Sequence, residues 1–190
     1  MTGAEGEPAE IVMDVIRSRR AIRDYAPGAI PKEHLVMVLQ AGRLASSGGN
    51  NRVHRFLVVQ DPGRISLIGS VAPGMLTVPT AVIVICVDLR VTVQRQVQSD
   101  RDTTVHIDVG TAAMNMQLMA HALSLGSCPV TSFSQSGLRA MLELPEHAQP
   151  ELLLMLGRRR DRQPAQNMSA QQKPTLDGVA YWEIYGSDSG

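Results

Sequence analysis

Aromatic residues are scarce in this chain of 190 residues, of which they make up 3%. Proteins that bind single-stranded nucleic acid stack bases on aromatic rings and carry an excess of basic residues, but the formal net charge here is zero. We therefore expect no nucleic-acid partner. No apolar run reaches the ~20 residues of a transmembrane helix, so we expect no membrane span.

The chain also has few cysteines and no apolar segment at its start. Residues 1–10 are acidic, which is not typical of a secretory signal peptide. Cys86 and Cys128 are too few for a disulfide framework, and Cys86 lies within an apolar strand pattern typical of a small buried side chain. These absences together favour a cytoplasmic location.

Several signatures of nucleotide binding and catalysis are missing. The sequence contains neither G-x-G-x-x-G nor G-x-x-x-x-G-K-[ST], and it has no G-x-S-x-G serine elbow. His106 and Asp108 lie two residues apart and His121 is isolated, so no H-E-x-x-H pair exists. We expect these histidines to be structural and predict no metal site.

The apolar content of 44% predicts a globular protein. Its length favours one domain, residues 1–190, with residues 1–8 and 186–190 as loose ends. Helices and strands interleave along the sequence, which indicates an α/β or α+β class. Apolar periodicity and turn residues predict helices at 8–18, 31–44, 64–70 and 106–125, and strands at 56–60, 80–88, 128–133 and 152–156. They also predict a short helix that is capped by Ser134 or Ser136 and ends near residue 142.

The pattern also supports finer predictions. The second helix should turn Leu35, Val36, Leu39 and Ala41 inward. The long helix 106–125 has apolar residues nearly all round and should be buried, with Gly126 ending it in the preferred C-terminal role. Residues 89–104 are polar and could form a mobile helix or lid, residues 158–173 are irregular, and the tail around Tyr181 and Trp182 is extended.

A polar loop lies within residues 45–56, which run directly into an apolar strand. Gly48 and Gly49 allow backbone conformations that other residues avoid. Ser46, Ser47 and Asn50 offer donors and acceptors on short side chains. A loop mounted on a strand in this way is where binding groups usually lie. A solvated turn is the alternative interpretation.

Four arginines fall among seven residues at the end of the first helix: Arg17, Arg19, Arg20 and Arg23. Guanidinium groups bind phosphate with paired, charge-assisted hydrogen bonds. A solvated helix end is the alternative, because charge clusters are often plain surface. For residues 158–160, a second run of arginines, we expect solvation.

These features in combination resemble the nitroreductase family of flavin mononucleotide (FMN) enzymes, over roughly residues 11–185. RRAIRDY at 19–25 is similar to the family's R-R-S-x-R-x-F, and ASSGGNNRVHRF at 45–56 is similar to A-P-S-S-x-N-x-Q-P-W-x-F. Residues 108–118 and 125–128 resemble its long central helix and the L-G-x-x that follows. Lys173-Pro174 with Trp182 resembles its basic-Pro tail. Four motifs in the same order make the resemblance specific.

The resemblance implies an α+β fold in which helices flank a central mixed, mostly antiparallel sheet. It implies a domain-swapped-style homodimer with active sites shared between the subunits. FMN would be the cofactor and NAD(P)H the reductant of the flavin at N5. A second small-molecule substrate, such as a nitroaromatic, a quinone or a pathway intermediate, would reoxidise the flavin in a ping-pong mechanism.

The resemblance also implies which residues hold the cofactor. By position, Arg19 and Arg20 would bind the FMN phosphate, and Lys173 would close on it from the tail. Arg23 would face the N1–O2 edge of the flavin. This edge gains negative charge on reduction, which a fixed cation stabilises.

Two further groups of residues would contact the flavin ring. The polar loop would reach it from the other subunit through Ser46, Ser47 and Asn50, with Arg52 at the family's Gln position. One face of the ring would be covered by Pro129, Thr131 and Ser132. The backbone N–H groups of Thr131 or Ser132 would be directed at N5, and no side chain is implied as a catalytic acid or base.

The sequence departs from the family pattern at several of these positions. Ala21 replaces Ser, and Thr131 stands where many members have Glu. In the loop, Ser46, Gly48, Val53 and His54 replace Pro, Ser, Pro and Trp. Because these positions line the pocket, the substrate class does not transfer. Open alternatives are a non-catalytic flavin-binding or interaction protein, an α/β domain without flavin, and a member that oxidises its substrate or fragments the flavin.

Overall fold

The computed structural model describes residues 7–96, 103–160 and 179–185. The chain divides into two compact units, residues 1–160 and 161–190. The predicted single domain therefore stays a prediction. Lys173, residues 97–102 of the predicted lid and most of the predicted loose ends lie outside the described residues.

The first unit is built on a five-stranded sheet with β5 near its centre. Its pairs run antiparallel in the order β1-β5-β3-β2, and β4 also pairs with β5. An isolated parallel bridge joins Ala21 to Ser127. This confirms the predicted mixed, mostly antiparallel sheet. The strands are β1 (Tyr25–Ala26), β2 (His54–Val59), β3 (Ala81–Asp88), β4 (Leu125–Val130) and β5 (Ala148–Arg159).

Helices cover both faces of this sheet, as predicted. One core cluster packs β3 and β5 against α2 and α5, and the other packs the opposite face against α3 and α6. All eight residues of β3 are buried because both of its faces are covered. The helices are α1 (Pro8–Ser18), α2 (Lys32–Arg43), α3 (Pro62–Val71), α4 (Leu89–Gln94), α5 (Thr103–Ala122) and α6 (Gln135–Met141).

Strand ends are where the sequence predictions were least accurate. β5 is much longer than the predicted strand 152–156 and continues through Arg158 and Arg159. It continues because Tyr25 pairs with Arg159 on one side and Leu125 pairs with Arg158 on the other. The prediction of an irregular stretch beginning at 158 was therefore wrong for these two arginines.

Gly126 does not end α5, so that prediction was also wrong. Ser124 takes the left-handed backbone conformation there (φ 59°), and Gly126 is the second residue of β4. Gly126 instead allows close packing, since an added Cβ would lie 2.7 Å from Cγ2 of Ile22. At Gly157 an added Cβ would lie 2.5 Å from Cδ1 of Tyr25. The two glycines let the segment after α1 lie directly on β4 and β5.

Apolar side chains remain exposed on several helices of the single chain, among them α1, α2 and α5. On α2 the buried residues are Leu35, Val38 and Gly42, whereas Val36 is 40% exposed, contrary to the prediction. On α5, Ile107 is 60% exposed, so the prediction of burial on every side is wrong for one chain. On α1 no residue is buried, and its exposed apolar residues are Ile11, Val12, Met13 and Ile16.

The second unit is described over residues 179–185 only. This segment consists of a turn and bends, and the rings of Tyr181 and Tyr185 lie 4.7 Å apart. The prediction of an extended tail at Tyr181 and Trp182 was therefore wrong. Across the described residues, no helix has the length and apolar character that a membrane crossing requires. A cytoplasmic location stays a prediction.

Candidate flavin-binding site

The arginine-rich segment that follows α1 lies along the outer edge of β4. The N–H of Ile22 donates to the carbonyl of Ser127 at 2.9 Å, next to the parallel bridge at Ala21. The hydroxyl of Thr77 donates to the carbonyl of Arg23. Backbone bonds therefore fix residues 19–25 against the sheet, and the arginine side chains project from a held backbone.

Arg20 has an exposed side chain that folds back on the end of α1. Its Nη1 donates to the carbonyls of Arg17 at 2.6 Å and Arg19 at 2.8 Å. A cation in this position satisfies carbonyls left open at the helix end. The remaining guanidinium nitrogens form no hydrogen bonds within the described part of the chain.

Arg23 lies beside two buried groups, Cys128 and Tyr25, and its positive charge partly offsets the effect of burial on their pKa values. Burial raises the pKa of Cys128, while the charge of Arg23 and a hydrogen bond with it act in the opposite direction. Burial also raises the pKa of Tyr25 far above its usual range, and its hydroxyl donates to the carbonyl of Ile22 at 2.7 Å.

The end of β4 presents an exposed backbone. Pro129 is exposed within β4, and Thr131 and Ser132 follow the strand and are exposed. Ser132 accepts at its carbonyl from the N–H of Gly74 at 3.2 Å. In the loop and turn hydrogen bonds of the described residues, the N–H groups of Thr131 and Ser132 are not used as donors. They remain available to a bound molecule.

The polar loop is a tight turn with an unusual backbone. Gly49, Asn50 and Arg52 all have left-handed φ angles, of 58°, 54° and 49°. The N–H of Arg52 donates to Oγ of Ser47 at 3.2 Å, and Nε of Arg52 donates to Oδ1 of Asn50 at 2.9 Å. Residues that are held at such sparsely populated backbone angles cluster at active sites and ligand sites. The loop therefore brings Ser47, Asn50 and Arg52 together.

Two residues of α5 hold the loop, and the sequence analysis did not identify their role. Asp108 is buried and accepts from the N–H of Gly48 at 2.9 Å. The hydroxyl of Thr111 lies within donating distance of the carbonyls of Ser46 at 3.2 Å and Asp108 at 2.9 Å. Positions 108 and 111 share one face of a helix. This polar pair in a largely apolar helix was the signal that could have identified them.

His54, at the family's Trp position, is buried behind the loop. Its ring stacks on Phe56 with centroids 5.1 Å apart. Burial lowers the pKa of His54, and the nearby charge of Asp108 opposes that shift. Its Nδ1 has no hydrogen-bond partner among the described residues. A neutral ring therefore replaces the larger aromatic side chain of the family's Trp. His54 also borders an open cavity of ≈ 440 Å³, which is lined by Val36, Leu39, Gln40, Arg43, Arg52, His54, Arg55 and Phe56.

The polar loop lies near one end of α5. Arg19 and Arg20, which the resemblance assigns to the FMN phosphate, lie near the other end. Asp108 holds the loop near the start of the helix, whereas His121 near its end bonds to Ser18 at 2.7 Å. These two positions are 13 residues apart, about 20 Å at the ordinary helical rise. One chain therefore brings Arg19 and Arg20 together with β4, and it holds the loop elsewhere.

Two groups near the arginines were not identified from the sequence. Burial lowers the pKa of His121, and the positive charges of Arg159, Arg19 and Arg20 lower it further. The run 158–160 is exposed as expected, but Arg160 pairs with Asp24 at 3.2 Å. Lys173, which the resemblance assigns to the FMN phosphate, lies outside the described residues. In the described ranges no group of three or more His, Cys, Asp or Glu could hold a metal ion.

Comparison with known proteins gives concordant matches. A sequence model described as "Nitroreductase family" matches residues 16–71 and 70–158. The chain is 28% identical over 153 residues to a protein of Methanothermobacter thermautotrophicus that is provisionally named an NADH dehydrogenase/NAD(P)H nitroreductase, covering 77% of this chain and 76% of that one. It is 28% identical over 193 residues to the "NADH dehydrogenase" of Thermus thermophilus, covering 86% and 92%.

A solved structure gives the same result for the fold. The chain matches a Desulfovibrio desulfuricans protein, provisionally named a nitroreductase and crystallised in complex with FMN. The TM-score is 0.73 and the identity 28%, over 95% of this chain and 99% of that one. These matches confirm the resemblance that the four sequence motifs indicated.

Proposed function

Since the chain belongs to the nitroreductase family, we propose that it is an FMN-dependent oxidoreductase that uses NAD(P)H as reductant. When bound, FMN supplies the chemistry of this reaction by accepting a hydride at N5 and passing electrons to a second small molecule. The observation that carries the proposal is the position of residues 19–25 along β4, which joins the arginines to the exposed backbone at the strand's end.

The residues present fit FMN in charge and in donor type. Among the described residues, neither Arg19 nor Arg20 forms a salt bridge, so their charges are available to a terminal phosphate. Thr131 and Ser132 offer backbone N–H groups with no partner among the loop hydrogen bonds. No dinucleotide-binding motif accompanies this site, which favours FMN over FAD.

We assign the cofactor contacts as follows. Arg19 and Arg20 bind the phosphate, and Arg23 neutralises charge that builds at the N1–O2 edge. Pro129 shields one face of the ring. The loop residues Ser46, Ser47, Asn50 and Arg52 complete the other side, and the backbone donors of Thr131 and Ser132 orient N5.

We propose that the loop reaches the flavin from a second copy of the chain. The ~20 Å between the two ends of α5 separates the loop from Arg19 and Arg20 within one chain. In addition, α1 is amphipathic but has no buried residue, and Ile107 and Met114 of α5 are exposed. Apolar faces of this kind are typical of permanent dimer interfaces. A homodimer would bury them and pair each loop with the partner's arginines.

Purification and reduction test the proposal. The protein should purify yellow, or bind FMN in preference to FAD, and anaerobic NADH or NADPH should bleach the visible absorbance of the bound flavin. A chain that binds FMN but is not reduced by either nucleotide would be a non-catalytic flavin-binding protein. A colourless chain with no FMN affinity would contradict the proposal entirely.

The kinetic order is a separate test. Because the described residues form one sheet and no second nucleotide-binding fold, NAD(P)H and the electron acceptor should occupy the same face of the flavin in turn. Initial rates with a quinone or a nitroaromatic as acceptor should give parallel double-reciprocal lines. Intersecting lines would indicate a ternary complex and contradict the shared binding face.

A further inference from the structure

His121 lies where three separate elements meet at the C-terminal end of α5. Ser18, the last residue of α1, contacts its Nε2 through Oγ at 2.7 Å. Arg19 and Arg20 follow directly after Ser18. Arg159 approaches from the end of β5, where it pairs with Tyr25. The histidine is half-buried among these groups.

The hydrogen bonds of Ser18 fix the tautomer of His121. A serine hydroxyl has one hydrogen to donate, and Oγ of Ser18 donates it to the carbonyl of Asp14. Oγ must therefore accept from Nε2–H of His121. The proton on Nε2 is held in place, and Nδ1 is the ring nitrogen that gains or loses a proton.

The surroundings of His121 contain positive charge without a matching acid. Its pKa is lowered by burial, and then by the charges of Arg159, Arg19 and Arg20. None of these three arginines forms a salt bridge to a carboxylate within the residues that the structure describes. The end of α5 adds the negative end of a helix dipole, which is too weak to balance three guanidinium groups. An anion is what the cluster lacks.

Resting on the proposed function, we infer that His121 is a proton-linked member of the FMN phosphate site and that Arg159 is a further fixed cation of it. A phosphate dianion among Arg19, Arg20 and Arg159 offsets most of the positive charge that opposes protonation of His121. Nδ1 of His121 then takes up a proton from solvent and becomes a donor to phosphate oxygen. No bond other than this N–H is formed or broken.

The sign of the pH dependence follows from linkage. The chain without ligand has a His121 pKa below the usual value, and the phosphate raises it. FMN affinity should therefore increase as the pH falls through the raised pKa of the complex, and level off below the lower pKa of the ligand-free chain. The phosphate group itself becomes a monoanion below about pH 6, which weakens binding equally in every variant.

The test compares FMN binding by the wild type, His121→Gln and Arg159→Gln at several pH values. Gln keeps a donor for Ser18 but cannot be protonated. Titration calorimetry at pH 7 in two buffers of different ionisation enthalpy counts the protons taken up. We expect uptake by the wild type and by Arg159→Gln, and less or none by His121→Gln. Between pH 8 and 6.5 the wild-type affinity should rise about 3- to 10-fold relative to His121→Gln, since one linked proton gives at most about tenfold per pH unit.

Matched ligands and variants separate the possible failures. Arg159→Gln should bind FMN about tenfold more weakly at every pH, because arginine stays charged throughout this range. Riboflavin, which has no phosphate, should bind all three proteins alike and without proton uptake. Equal proton uptake and equal pH slopes in the wild type and His121→Gln would overturn this inference alone. Equal binding of FMN and riboflavin by the wild type would overturn the phosphate site, and a wild type that binds neither would overturn the proposed function as well.

A measurement on the wild type keeps the test valid if His121→Gln does not fold. The pKa of His121 can be followed by the NMR signals of its ring with and without FMN. The inference predicts a higher pKa in the complex. An unchanged or lower pKa would contradict it.

Discussion

The two ends of α5 hold polar regions that are built in opposite ways. Near the start, the buried carboxylate of Asp108 meets the N–H of Gly48, so donor and acceptor are matched within the chain. Near the end, His121 lies among guanidinium groups that have no acid opposite them in the described part of the chain. The matched region fixes a loop, whereas the unmatched region is suited to bind an anion. A single ligand could contact both regions only if one copy of the chain supplies the loop and a second copy supplies the arginines.

Removing a cation from the unmatched region should have the largest effect. Arg20→Ala should weaken FMN binding ~10-fold or more, because a charge-assisted hydrogen bond to phosphate is lost. Fluorescence quenching of FMN on titration measures this directly.

The control for Arg20 separates charge from structure. Arg20 also donates to the carbonyls of Arg17 and Arg19, so its loss could loosen the end of α1. A loosened helix end would weaken riboflavin and FMN alike, whereas loss of a phosphate contact affects FMN only. Arg17→Ala, which removes a nearby exposed arginine, should leave both affinities close to wild type.

Changing the matched region should lower stability by an intermediate amount. Asp108→Ala leaves the N–H of Gly48 without its acceptor, which should cost roughly 1.5–3 kcal/mol of unfolding free energy. Asp108→Asn keeps a carbonyl oxygen at this position and should cost less. Urea unfolding at one fixed protein concentration, without added flavin, measures both values. Equal losses in the two variants would show that the carboxylate charge matters rather than the hydrogen bond.

The smallest expected effect concerns His54 beneath the loop. Burial lowers its pKa from an ordinary 6.5, so the folded chain holds the ring neutral. Its contribution to stability is complete above about pH 6.5 and is lost as the pH falls towards the lowered pKa. His54→Phe keeps the ring stacked on Phe56 and removes the titration. The variant's unfolding free energy should fall less than the wild type's between pH 7 and 5; equal falls would contradict this assignment.

Much of the fold followed from local patterns in the sequence. The apolar run of β3, the helical spacing of α1 and the capping serine of α6 each reflect neighbours in the chain, and the structure agrees with them. Ser134 does accept from the N–H of Gly137, as a cap should. The errors arose where distant segments meet: β5 extends because Tyr25 and Leu125 lie beside its end, and Gly126 serves the packing of Ile22.

The candidate site was predictable in the same uneven way. The arginines and the polar loop could be recognised from residue type and from the family resemblance. The role of His121 could not, because it depends on Ser18 and Arg159, which are more than 30 residues away on either side. Asp108 was intermediate: its spacing from Thr111 could have indicated a polar helix face, but only the fold shows that the loop lies on it.

The shared site is the central claim, and mixing two inactive variants tests it most directly. Arg20→Glu would repel the phosphate, and Asn50→Leu would remove a loop contact to the flavin. Each homodimer should be poor in flavin and inactive. In a mixed dimer, one site would carry both substitutions and the other neither.

NAD(P)H oxidation after subunit exchange gives the decisive result. Random pairing makes half of the dimers mixed, each with one intact site of two, so activity should return to about a quarter of wild type. FMN content should rise in parallel. If mass spectrometry shows that the subunits have exchanged and neither activity nor bound FMN returns, each site is built within one chain and the account is wrong.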